Sequence, residues 1–230
     1  MTKMPQFESL EQMAEDTADK MAEAAAHAAF RLFRDKQFRR LAEFDKISQG
    51  ENDRIFNELV LAFLILLMLV LEAPDLRVED EIRAYCRELQ KKIGAGYIHQ
   101  LKALGIEEKY LKDWEKLIGM RYAEYAKDRH SVRAAAMQLE SAEKDLDVDD
   151  LAKIQLLLPV QSVAIGSHCH ICRGKTEGKD ELFKLILKAL SPFYVEIRVR
   201  LEGGRITWLT RVRVACKRIL RRILARLRDR

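Results

Sequence analysis

"FYVEIRVRLEGGRITWLTRVRV", residues 193–214, is the stretch on which the fold class turns. Val195, Ile197, Val199 and Leu201 alternate with Glu196, Arg198, Arg200 and Glu202, the two-residue period of a half-buried strand. A tight turn at Gly203-Gly204 sets Leu201 opposite Ile206, Val199 opposite Trp208, Ile197 opposite Thr210 and Val195 opposite Val212, so one face is almost wholly apolar. The same register sets Glu202 against Arg205 and Glu196 against Arg211, and it leaves Arg198, Arg200, Arg211 and Arg213 on the exposed face. A hairpin is therefore expected here.

The surroundings extend that expectation. Downstream, "ACKRILRRILARLRDR" places Cys216, Ile219, Leu220, Ile223 and Leu227 on one helical stripe, with Lys217, Arg218, Arg221 and Arg222 among the basic residues around it. Upstream, a helix is expected from about Lys179 to Leu190, ended by Ser191-Pro192. Before it, "VQSVAI" after Pro159 reads as a short strand. The fold class expected is α+β, mainly α, with a basic β-α-β-β-α module at 159–230 that includes the Gly-Gly hairpin.

Residues 1–158 read as a bundle of four or five helices. Apolar positions from Phe7 to about Ser48 keep helical spacing through Leu10, Met13, Thr17, Met21, Ala24, Ala28 and Leu32, with Gly50 as a stop and Asn52 or Asp53 as the next N-cap. "LVLAFLILLMLVL", Leu59 to Leu71, is apolar on every face; at thirteen residues it is short of a bilayer crossing and suits the centre of a bundle. Gly94 and Gly96 weaken the third helix, Gly105 reads as a C′ glycine, and a long fourth helix starts near Glu107. A short helix from Asp147 or Asp149 is expected to stop at Pro159.

Charge divides the chain in the same place. Residues 160–230 hold 17 Lys and Arg against 6 Asp and Glu, whereas residues 1–159 hold 24 against 30. Such an asymmetry points the C-terminal part towards a polyanion. The nucleic-acid-binding residues expected are Arg198, Arg200, Arg211, Arg213, Lys217, Arg218, Arg221 and Arg222, because arginine suits phosphate and guanine edges. An acidic protein partner, the chain's own acidic body, an anionic membrane surface and self-association are the alternatives.

Four of the nine cysteines and histidines stand in "HCHIC", residues 168–172. His168, Cys169, His170 and Cys172 are ligand types that zinc prefers, and Cys-x-x-Cys is half of a structural zinc site. As a redox pair, Cys169 and Cys172 would need thiolates stabilised by Arg173, Lys175 and a following helix N-terminus. Plain burial is the third account. Other signatures fail on spacing: no Glu-x-x-His pair supports a di-iron bundle, "EKDLDVDD" lacks the glycine and glutamate of a calcium loop, and "RGKT" lacks the first glycine of a phosphate loop. The first twenty residues lack the pattern of a secretory signal, so a cytoplasmic location is expected. The function expected is non-enzymatic association with nucleic acid, with a metal bracing the basic module; a thiol redox protein and a membrane-surface or protein-interaction adaptor are the competing readings.

Overall fold

A computed structural model describes residues 9–142 and 148–204, with side chains for 9–128 and 157–204. Its elements are seven helices among the described residues: α1 (Leu10–Phe33), α2 (Lys36–Leu41), α3 (Gln49–Leu71), α4 (Asp80–Ala103), α5 (Glu108–Ala142), α6 (Val148–Ile171) and α7 (Asp180–Leu201), with a 3₁₀ turn at Phe44–Lys46. No strand occurs among them, so the described residues are all-helical and the expected β-α-β-β-α module is corrected.

The centre is α3. Every residue from Leu59 to Leu71 is at most 8% exposed, and α1, α4, α5, α6 and α7 all pack on it. A helix without a polar face loses most by touching water, so amphipathic helices enclose it on all sides. Ser48, and neither Asn52 nor Asp53, caps it by accepting from the Glu51 amide, which puts Gly50 inside the first turn.

On α1 the buried stripe consists of Ala14, Ala18, Ala22, Ala25, Ala28, Ala29 and Leu32, while Leu10 is half exposed. Small residues let α1 and α4 approach closely: a Cβ on Gly96 would stand 3.0 Å from the Ala18 carbonyl carbon and the Asp19 amide nitrogen. Gly96 therefore serves helix contact, and α4 runs unbroken through it. The long helical pattern expected to reach Ser48 breaks after Phe33, where Asp35 caps α2 by accepting from the Phe38 amide. Gly105 lies at φ 82°, and its amide and that of Ile106 bond back to Lys102 and Leu101, closing α4 as expected.

Two of the three expected C-terminal strands are helix. In α6 the "VQSVAI" segment buries Val160, Ser162, Val163 and Ala164, and Ser167, His168 and Ile171 continue the buried face at spacings of three and four. In α7, Leu182, Ile186, Leu190, Tyr194 and Arg198 form an unbroken stripe at intervals of four. That stripe passes through Pro192, and the stripe on α6 continues past Pro159; both prolines stand inside their helices. Packing of a continuous apolar face outweighs the one backbone hydrogen bond that each proline removes. The alternation from Val195 to Leu201 is a by-product, since Val195 is 40% exposed whereas Arg198 is buried. Gly203 and Gly204 do not make a hairpin turn: their amides bond to Arg200 and Val199, with Gly203 at φ 74°, and close the C-terminus of α7. The expected partner strand at 205–214 and the helix that follows it lie outside the described residues.

Candidate functional site: the Cys/His turn and the polar seam beside it

The last turn of α6 carries the Cys/His stretch. Arg173 follows at φ 51° and Gly174 at φ 75°; the Arg173 amide bonds to the His170 carbonyl and the Gly174 amide to that of Cys169. Arg54 of α3 completes the cap, donating from Nη1 to the His170 carbonyl at 2.7 Å and from Nη2 to the Ile171 carbonyl at 2.9 Å. Glu51 in turn binds both Arg54 and Arg173. The stretch expected between a strand and a helix is thus a capped helix C-terminus.

Successive helical residues point about 100° apart, so His168, Cys169 and His170 face three different directions. His168 is 7% exposed; its Nε2–H donates to the Lys179 carbonyl at 3.1 Å and its ring meets Phe183. Burial lowers its pKa below the ordinary histidine value. His170 turns towards α5 and donates from Nε2 to Glu124 Oε1 at 2.7 Å. Cys169 is exposed, and Cys172 is half-buried. Among the described residues no group of three or more His, Cys, Asp or Glu side chains is placed to hold a metal.

The thiol pair also sits at the end of a helix opposite to the one its redox reading requires. A helix C-terminus carries negative partial charge and disfavours thiolate. Burial further pushes the Cys172 thiol up.

Beside this turn runs a polar seam that joins three helices. Glu58 of α3, buried at the edge of the apolar run, accepts from Arg121 Nη2 at 2.7 Å and from Arg121 Nε at 3.1 Å. Arg121 Nη1 reaches Glu124 at 3.2 Å, and Glu124 holds His170. Burial opposes the Arg121 charge, but the paired Glu58 outweighs it and keeps the guanidinium pKa above its ordinary value. Next to the seam Tyr125 is fully buried, with its hydroxyl unpartnered among the described residues and its pKa pushed well up by burial. Its carbonyl accepts from Ser162 Oγ at 2.6 Å, and its ring fills the space above Gly166 of α6, where a Cβ would fall 2.2 Å from Cε1. This constellation ties α3, α5 and α6 together.

Of the expected nucleic-acid-binding residues, two lie among those described. Arg198 is not on an exposed face: it is 8% exposed, donates to Tyr194 Oη at 2.9 Å and to the Asp75 carbonyl at 2.8 Å, and pairs with the carboxylates of Asp75 at 2.9 Å and Glu202 at 3.1 Å. Burial opposes its charge, and Asp75 and Tyr194 more than compensate, raising its pKa. Arg200 is exposed and pairs with Glu196 at 2.6 Å. Arg211, Arg213, Lys217, Arg218, Arg221 and Arg222 lie outside the described residues.

Sequence reasoning missed Arg54, Glu58 and Arg121 as a connected set. Glu58 left one trace, a carboxylate directly before thirteen apolar residues, which a partner charge on another helix explains. No known protein family, no curated protein and no solved structure matches this chain.

Proposed function

We propose that this chain is a non-enzymatic, nucleic-acid-binding protein in which a helical bundle carries an arginine-rich C-terminal stretch. The observation behind this reading is the concentration of charge. Residues 205–230 hold ten Lys and Arg against one Asp, a net of +9, while residues 1–204 total −4. Arg198 leaves the set of binding residues, because Asp75 and Glu202 neutralise it inside the fold. The residues that remain are Arg211, Arg213, Lys217, Arg218, Arg221 and Arg222, with Arg200 beside them.

Phosphate neutralisation releases counterions, so log K against log salt falls by about 0.9 per phosphate contact on duplex DNA and about 0.7 on single strands. The full chain and an Arg218→Gln, Arg221→Gln, Arg222→Gln variant are titrated with labelled DNA, labelled RNA and vesicles containing anionic lipid, at several salt concentrations. The expected result is nucleic-acid binding whose salt slope drops by two to three in the variant, estimated as roughly 0.7–0.9 for each of three contacts. Absence of binding to either nucleic acid at low salt refutes the proposal.

One observation favours a second reading, an anionic membrane. By length and composition α3 is able to cross a bilayer, with a mean hydropathy of 2.3 over its most apolar window, although 83% of that window is buried in the bundle. Binding to vesicles alone selects this reading.

A further inference from the structure

The corner where α1 passes into α2 reverses the charge of the body around it. Residues 30–40, "FRLFRDKQFRR", hold five Lys and Arg against one Asp in a region that is otherwise acidic. Arg31, Arg34, Lys36, Arg39 and Arg40 are all exposed, and none of them stands in an ion pair among the described residues. Elsewhere on the body several basic side chains have taken a carboxylate partner, as Lys20, Lys92 and Lys179 do. Five unneutralised cations within ten residues raise the local potential and attract anions.

Aromatic rings lie directly under these charges. Arg34 sits 5.6 Å from the ring centroid of Phe30, and Arg39 lies 4.6 Å from Phe44 and 5.9 Å from Phe33. Phe30 and Phe33 both pack against Phe56, and Phe33 against Phe44, so the guanidiniums share one continuous aromatic base. Phe38 and Phe44 are buried and anchor that base to the bundle. Of these rings Phe30 alone is open, at 48% exposed, beside the cations.

We infer that this corner is a second nucleic-acid contact, on the folded body, which takes single strands. Arginines neutralise the backbone while a base stacks on Phe30, a combination that tolerates any base sequence. A membrane surface fits less well: Phe30 is the one open apolar side chain here, whereas interfacial binding needs an apolar face of several. The inference deepens the nucleic-acid reading and rests on it.

The test uses the full chain and a fluorescent oligothymidylate. Arg34→Gln, Lys36→Gln, Arg40→Gln in combination removes no ion pair seen in the fold and is expected to lower the salt slope by about 2, from roughly 0.7 per contact. Phe30→Leu keeps apolar packing against Phe56 but removes the ring face, and is expected to weaken binding about five-fold or more at unchanged slope, whereas Phe30→Tyr retains it. Equal circular dichroism and equal melting temperature establish that each variant is folded. Unchanged slope and affinity in the corner variants, alongside weaker binding in the Arg218, Arg221 and Arg222 variant, overturn this inference and leave the C-terminal reading intact. A wild-type chain that fails to bind at low salt overturns both, and loss in the corner variants alone assigns binding to the corner instead of the C-terminal stretch.

Discussion

Glu58 and Arg121 carry the sharpest energetic consequence of the fold. Their side chains are 8% and 14% exposed and joined by two hydrogen bonds, so removing either partner strands a charge where water reaches poorly. Arg121→Met leaves Glu58 buried without its guanidinium, and breaking such a pair costs about 3–5 kcal/mol. Glu58→Leu costs less, about 2–3 kcal/mol, because Arg121 keeps Glu124 at 3.2 Å and so falls below that range. The double variant buries no charge and places leucine and methionine against an apolar helix, so it is expected within about 1 kcal/mol of wild type. The coupling energy is then at least about 4 kcal/mol, far above the few tenths that separate independent sites. For a chain of this length the Arg121→Met melting temperature should fall by roughly 6–20 °C, at about 2–4 °C per kcal/mol. Urea unfolding followed by circular dichroism supplies the free energies, with a constant m-value as the check on two-state behaviour. A double variant as unstable as the sum of the two singles would refute the argument, because Glu58 and Arg121 would then be acting separately.

Three further outcomes follow from particular residues. Gly166→Ala should destabilise by about 1–3 kcal/mol in thermal or urea unfolding despite the better helix propensity of alanine, since the fully buried Tyr125 ring must move to admit a methyl group 2.2 Å from Cε1; a more stable variant shows that the ring yields freely. Pro192→Ala should stabilise by about 1–2 kcal/mol, because α7 continues through this position and gains a backbone donor; a neutral result returns to a helix that ends at Ser191. His168 is buried with its pKa lowered, so the unfolded chain binds the extra proton: stability is complete above about pH 6.5 and declines as the pH falls from there towards the folded value. Denaturant midpoints measured at pH 7.5 and 5.5 should therefore differ more in wild type than in His168→Gln; an equal difference removes His168 from the acid response.

Much of the helical body was legible from residue pattern. An apolar run such as Leu59–Leu71 has one low-energy placement in a helical bundle, and Gly105 ends a helix for a local steric reason. The Cys/His stretch was legible as a cluster but not as a site. Proximity in sequence on a helix means divergence in space: His168 faces Phe183, His170 faces Glu124, and Cys169 faces out. The basic corner at 30–40 was visible in composition and was passed over, because a total of −6 over residues 1–159 averages it away.

By itself the sequence determined the central apolar helix, the helical identity of the first hundred residues and the division of charge between body and C-terminus. These follow from local preference and from composition, which need no partner. Only the tertiary structure decided the class of residues 160–171 and 193–201. A period of two and a period near four share positions over so short a run, and packing of α6 and α7 on α3 selected the stripe Leu182, Ile186, Leu190, Tyr194 and Arg198 over the alternation from Val195 to Leu201. The same packing turned Arg198 inwards to Asp75 and brought Glu58, Arg121, Glu124 and His170 into one seam, since electrostatic partners on separate helices meet only when the helices do.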